Sequence, residues 1–290
     1  MDSRPIGVFD SGFGGVSVLA SAALRLPRER FIFLGDNLHA PYGDRTPEEV
    51  LAYTRQGVER LTGMGCKAIV IACNTATSAA AAALRRELPL PVIGMEPALK
   101  PASLLPREGA VLVMATTMTL RLDKFHLLME RFGQNAVPVP CPGLVELIEA
   151  GETDGPRIRR KLTELLSPHL TGPVKAVVLG CTHYVFLRRA LQALLPADVA
   201  LVDGNEGTAR QLERELIRCD LLAHPWTPSG AIADRPATQG CFAPPEARDA
   251  LEDRIRFLST APDQAIPARM KAWYERALPE ATAAEKGEAV

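Results

Sequence analysis

Two short stretches of this chain share one arrangement. "VIACNTATSA" (Val70–Ala79) and "VLGCTHYVFL" (Val178–Leu187) each place a cysteine where a short apolar run stops, with small polar residues directly after it. Lys67-Ala68 precedes Cys73 at the same spacing as Lys175-Ala176 precedes Cys181. A thiol acts as base or nucleophile only as thiolate, a minor form of free cysteine at neutral pH. At a strand end that runs into a helix, the free N–H groups of the helix favour an anion and therefore a thiolate. One cysteine in such a place is more often packing, and Asn, Thr and Ser after a strand are ordinary helix N-caps. Two equivalent strand ends, each with a thiol beside amide and hydroxyl donors, read better as two halves of one site.

Three further segments belong with them: Asp10-Ser11 after Ile6–Phe9, the Asp36–Gly43 loop, and the Thr116–Thr119 loop. In parallel α/β sheets ligands bind beyond the carboxyl ends of the strands, and all five segments arrive there. Competing chemistries are weaker. Gly12-Phe13-Gly14-Gly15 has the look of a phosphate loop but is not GxGxxG, and no Gly-Lys-Ser/Thr follows. Cys181-x-His183 offers a start on a zinc site, yet no histidine stands near Cys73 to complete one. Asp36-Asn37 and Tyr42-Gly43 also fit plain turn chemistry.

The elements that must position these residues alternate along the chain. Ile6–Phe9, Phe31–Gly35, Ala68–Ala72, Val92–Gly94, Ala110–Met114, Val137–Val139, Ala176–Leu179 and Ala200–Val202 read as short buried strands. Between them, Gly15–Leu26, Pro47–Met64, Ser78–Leu88, Leu120–Phe132, Leu144–Ala150, Asp154–Leu170, Phe186–Leu195 and Glu206–Leu222 read as amphipathic helices. Short apolar strands with helical crossovers predict an α/β fold of mainly parallel, doubly wound sheets. Prolines interrupt the alternation near Met95–Pro106, which predicts two lobes, residues 1–96 and 97–204, with one cysteine strand in each. Residues 205–290 are expected to return to the first lobe, Pro225–Pro245 to be an irregular loop, and the tail after Lys271 to be an extra helix or frayed.

Composition narrows the class. The 290 residues are 47% hydrophobic and 23% charged, which suits a soluble globular protein. Near-equal counts of 33 basic and 34 acidic residues give no electrostatic case for nucleic acid or an anionic membrane. The apolar runs are too short to span a bilayer, and MDSRPIGVFD enters a strand-like segment without a signal-peptide core, so a cytoplasmic setting is expected. The six cysteines lack CxxC spacing, which fits a reduced compartment. Cys66, Cys141, Cys219 and Cys241 are expected to be dispensable for chemistry, because none is read as ending a strand beside a polar cluster.

The segments "GVFDSGFGGVSVL", "FLGDNLHAPYGDRTPEEV", "IACNTATSA" and "VLGCTHYVFL" resemble, in this order, the signature segments of glutamate racemases. The likeness covers roughly Pro5–Arg210 and is closer than that to aspartate or hydantoin racemases. It implies two similar α/β lobes with the active site in the cleft between them, and a glutamate substrate inverted without pyridoxal phosphate or metal. It implies Cys73 and Cys181 as the two bases, assisted by Asp10 and His183. It further implies substrate contacts from Asp10-Ser11, Tyr42-Gly43, Asn74-Thr75, Thr116, Thr119 and Thr182-His183, and a place near the cleft for Glu149. The implied role is supply of D-glutamate for peptidoglycan. Relatives are often dimers, so the resemblance allows a homodimer, which the residues do not themselves select. The sequence departs from the pattern in "MATTMTLRLDKF", where Leu122 replaces a commonly small polar residue, and after Leu222, where the likeness fades. Three rivals stay open at this stage: an aspartate racemase, a thiol hydrolase using Cys181 and His183, and a two-lobed binding protein without catalysis.

Overall fold

In the computed structural model, which describes residues 1–223 and 254–286, the apolar runs become parallel strands. One sheet contains β1 (Ile6–Asp10), β2 (Phe31–Gly35), β3 (Ala68–Ile71), β4 (Val92–Gly94) and β9 (Ile255–Ser259), in the order β4-β3-β1-β2-β9. The other contains β5 (Ala110–Ala115), β6 (Ala136–Pro140), β7 (Val174–Leu179) and β8 (Ala200–Val202), in the order β6-β5-β7-β8. All pairings among these strands are parallel. Every residue of β1, β2, β3 and β7 is buried, which explains why, Asp10 and Lys175 near their ends apart, these strands are apolar with no alternation. Pro138 and Pro140 are accommodated because β6 is an edge strand.

The helices are α1 (Val16–Arg25), α2 (Pro47–Gly63), α3 (Asn74–Glu87), α4 (Leu99–Ser103), α5 (Thr117–Arg121) and α6 (Asp123–Phe132), then α7 (Leu144–Glu149), α8 (Pro156–Leu166), α9 (Arg188–Leu194), α10 (Asn205–Arg218) and α11 (Ile266–Lys286). They cover both faces of the sheets. Phe9, Ile69 and Ile71 pack toward Val58 and Leu61 of α2 and Leu84 of α3, whereas Ile6, Val8 and Val70 belong to the cluster of α1 and α11. That second cluster continues through Val177, Leu179 and Leu187 into the other lobe, so the two sheets share a core.

Several boundaries differ from the sequence reading for local reasons. The helix after Cys73 begins at Asn74, not Ser78, because Cys73 is its N-cap and its Sγ accepts the Ala76 N–H at 3.4 Å. The single helix expected over Leu120–Phe132 is two, broken at Leu122, whose extended backbone precedes α6 without a side-chain cap. A small polar residue there would supply that cap. The proline-interrupted stretch near Met95–Pro106 holds the short helix α4, β9 adds an unforeseen edge strand, and the C-terminal helix starts earlier, at Ile266. Cys241 and Pro225–Pro245 lie outside the described residues.

The duplicated lysines explain themselves at the far ends of their strands. Lys67 is buried, pairs with Glu29 at 2.6 Å and donates to the Asp2 carbonyl at 2.6 Å. Lys175 donates to the carbonyls of Ser103 at 2.9 Å and Leu105 at 3.4 Å. Each pins the loops beneath its sheet. After β8 the chain crosses to α1, where Arg25 binds Glu206 at 2.8 Å and Glu213 at 2.6 Å on α10. Among the described residues no helix is long and apolar enough to cross a membrane.

Candidate active site

Strand register decides which side chains meet. Phe9 of β1 lies beside Ile71 of β3, so Asp10-Ser11 and Ala72-Cys73 leave the first sheet together. Met114 of β5 lies beside Leu179 of β7, so Thr116 and Cys181 leave the second sheet in the same way. The two sets of strand ends border one cleft. Ser11, Tyr42, Gly43, Cys73, Asn74, Thr75, Thr116, Glu149, Cys181, Thr182 and His183 all line it. Asp10 and Thr119 are fully buried just behind that lining.

The two thiols have different company. Cys73 Sγ lies 3.5 Å from Ser11 Oγ and 3.4 Å from the Ala76 N–H. Burial, with the charge of Asp10, pushes this thiol up to about 12, against the pull of the Ser11 and Ala76 hydrogen bonds. Asp10 accepts the Gly12 N–H on Oδ2 at 3.0 Å, while its buried Oδ1 has no partner. Burial raises the Asp10 carboxyl above its ordinary 3.8, only partly offset by His183 and the Gly15 and Gly12 N–H groups. This arm holds its protons.

On the other side, Cys181 Sγ is 3.7 Å from His183 Nδ1, and His183 Nε2 is 2.9 Å from Glu149 Oε1. Glu149 Oε1 also accepts the Phe13 N–H at 3.3 Å, and the Gly14 N–H points at His183 Nε2 from 3.2 Å. Nε2 has one in-plane position, so it can donate to Glu149 or accept from Gly14, not both. Burial alone would depress the imidazole, but hydrogen bonds and charge from Cys181 and Glu149 raise it well above its ordinary value. The protonated ring therefore takes the Glu149 bond and directs Nδ1–H toward Cys181.

The glycine-rich loop serves close approach, not phosphate binding. A Cβ on Gly14 would lie 2.5 Å from both His183 Nδ1 and Thr182 Oγ1, so only glycine lets this loop touch the opposite lobe. Elsewhere along the cleft the lobes meet through hydroxyls: Thr75 Oγ1 is 3.0 Å from Thr116 Oγ1 and 2.9 Å from Thr119 Oγ1. Asn74 has both side-chain amide atoms buried without a hydrogen-bond partner in the protein. Tyr42 gives its hydroxyl to Asp36 at 2.6 Å, leaving its ring and backbone to the cleft.

Two residues of the cleft wall, Cys141 and Glu146, were not among the expected site residues. Cys141 was expected to end no strand beside a polar cluster; it follows β6 directly and lines the cleft. Its Sγ–H donates to the Val139 carbonyl at 3.2 Å, and burial pushes the thiol up to about 12, which corrects the position but leaves a satisfied, protonated group. The run "AVPVP" before it was the available signal. Glu146, one turn before Glu149, also lines the cleft. Asp36, at the head of the loop expected at the site, gathers Tyr42, His39 at 2.9 Å and Thr260 at 2.6 Å. Among the described residues, no three or more His, Cys, Asp or Glu side chains are grouped to hold a metal ion.

Comparison with known proteins adds independent information. Residues 18–212 match the family model described as Asp/Glu/Hydantoin racemase. Glutamate racemase of Clostridium kluyveri is 51% identical over 223 residues, covering 75% of this chain and 87% of that protein. The crystal structure of Francisella tularensis glutamate racemase in complex with D-glutamate aligns with a TM-score of 0.73 and 27% identity, over 96% of this chain and 95% of that one. That of Thermus thermophilus glutamate racemase in complex with β-chloro-D-alanine aligns with a TM-score of 0.70 and 33% identity, over 95% and 94%.

Proposed function

The chain belongs to the Asp/Glu/hydantoin racemase family and is an amino-acid racemase of the glutamate racemase group, and from that premise we propose that it interconverts L- and D-glutamate by proton transfer between Cys73 and Cys181. The observation that carries this reading is one buried thiol at each of two equivalent strand ends, both facing the same cleft.

The α-hydrogen of an amino acid is a very weak acid, and inversion needs removal on one face and return on the other. One thiol starts as thiolate and takes the proton; the other starts protonated and delivers one. Cys73 takes it from D-glutamate and Cys181 from L-glutamate. His183, held by Glu149, assists proton transfer at Cys181, and Asp10 passes the proton on and off Cys73. The N-terminal N–H groups of α3, with Asn74, Thr75, Thr116 and Thr182, suit the two carboxylates, and the acidic side chains suit the ammonium. Thr119 acts through Thr75 and Thr116, and Ser11 and the Tyr42-Gly43 turn close the site around the substrate. On this reading no pyridoxal phosphate or metal takes part. The lobes run over residues 1–96 and 97–204, with the described residues beyond 204 completing the first. The cellular role is cytoplasmic supply of D-glutamate for peptidoglycan, and a homodimer is the assembly to test by light scattering.

Circular dichroism of either glutamate enantiomer, with protein and no added cofactor, tests the activity. The signal should decay to zero from both sides, and faster than with aspartate. Binding without change of rotation would refute it. A second reading has one observation in its favour: Cys181, His183 and Glu149 form a Cys-His-carboxylate array like that of a thiol hydrolase. That chemistry leaves Cys73 idle and passes through a trappable acyl-enzyme, which the racemase never forms.

A further inference from the structure

The C-terminal helix α11 packs on α1 of the first lobe, yet its side chains also reach the second. Arg269 Nη2 donates to the Glu149 carbonyl at 3.0 Å, and its guanidinium carbon lies 4.8 Å from the centroid of the Phe13 ring. One turn on, Trp273 meets Phe186 edge-on at 4.5 Å, and Arg276 donates to Thr153 Oγ1 at 2.8 Å. Met270, fully buried beside Arg269, backs the same loop: a Cβ on Gly35 would meet Met270 Cε at 2.5 Å and the Gly12 carbonyl at 2.6 Å.

These contacts converge on one relay. Phe13 gives its N–H to Glu149, Glu149 holds His183 Nε2, and His183 Nδ1 faces Cys181 Sγ. Arg269 touches the first two members and does not line the cleft. We propose that Arg269 is a positioning residue for the Cys181 arm: it clamps the Gly12–Gly14 loop of one lobe to the end of α7 in the other, and so sets the Glu149–His183 pair against Cys181. The proposal rests on the racemase reading. Its electrostatics agree. Burial would raise the Glu149 carboxyl, but His183, the Phe13 N–H and Arg269 together leave it lowered. The charged and titratable groups acting on the pair are Asp10 after β1, Cys181 after β7 and Arg269 from α11.

The clamp makes a directional prediction. A slower Cys181 transfer becomes more rate-limiting when L-glutamate is deprotonated, and masks the Cys73 transfer when D-glutamate is. For Arg269→Met in the full chain, kcat/KM should fall about 10- to 100-fold, the scale set by small misplacement of a reacting group. It must fall equally in both directions, since the enantiomers are equal in energy. The primary deuterium isotope effect on kcat/KM with α-deuterated L-glutamate should rise, and that with α-deuterated D-glutamate should fall. Arg269→Lys should recover part of both changes. A loss of folded protein alone scales every rate and leaves isotope effects untouched. Should Arg269→Met not fold, Phe13→Leu, which keeps the backbone N–H and removes the ring under the guanidinium, should shift the effects in the same directions. Isotope effects unchanged in either folded variant, or shifted alike in both directions, would overturn the clamp. Failure of the unaltered protein to racemise glutamate would instead overturn the reading beneath it.

Discussion

Cys73 and Cys181 occupy matching strand ends, yet their neighbours handle protons differently. Asp10, with its carboxyl raised by burial, stands behind Cys73; the Glu149-held imidazole of His183 stands beside Cys181. The Asp10 environment sets a stability effect whose sign can be worked out. A carboxyl whose folded pKa is raised is stabilising when protonated at low pH, and that stability is lost as the pH rises through the folded value. Asp10→Asn should therefore melt higher than the parent at neutral pH, with the gap closing as the pH falls toward the ordinary 3.8. Its racemisation should fall about 10²-fold or more, as expected for lost acid–base assistance. A lower melting temperature at neutral pH would contradict the assignment of Asp10 as a strained functional group. Both cysteines were legible because chemistry dictates their residue type and the duplication repeats their spacing. Cys141 was not, because the strand before it reads as ending at Val139 and no cluster of polar residues follows the thiol.

At the scale of elements, the site is held shut by loops that touch across the lobes. Gly14 abuts His183 and Thr182 with no room for a methyl group, so Gly14→Ala must part the lobes or turn His183. Glutamate KM should rise and kcat fall, while the melting temperature changes little, because neither sheet is altered. Steady-state kinetics with thermal denaturation check this; normal kinetics would show that the approach is not needed. Leu122 gives α6 an N-cap position without a capping side chain. Leu122→Ser should raise stability by about 0.5–1 kcal/mol, the usual worth of an N-cap, read by denaturant unfolding. Strands and long helices were legible from apolar runs and periodicity. The early start of α3 was not, since a thiol is an unusual cap, and β9 was not, since IRFLS reads as amphipathic until β2 is seen to need an edge partner.

Across the whole molecule, two parallel sheets with a shared core bring their strand ends to opposite walls of one cleft, and the fold's foundations lie at the other end. There Lys67 and Glu29 form a buried pair at 2.6 Å that also ties down the N-terminal segment. Lys67→Met leaves a buried carboxylate without its counter-charge and should destabilise by about 3–5 kcal/mol, and adding Glu29→Gln should recover part of it. Equal stability of Lys67→Met and the parent would contradict the pairing. The lobed architecture was legible from the duplicated cysteine strands. The way α10 and α11 brace the lobes was not, because those contacts join residues far apart in sequence by arginine and aromatic side chains that carry no periodicity. The central claim is that the lobes present separate bases to the two faces of the α-carbon. The most direct measurement follows the α-hydrogen in D₂O at low conversion, starting from each glutamate enantiomer. Two thiols predict that product carries α-deuterium while recovered substrate stays mostly protiated, in both directions, and that Cys73→Ala and Cys181→Ala each abolish turnover both ways. Product that retains the original α-protium, or near-normal racemisation in either alanine variant, would contradict it.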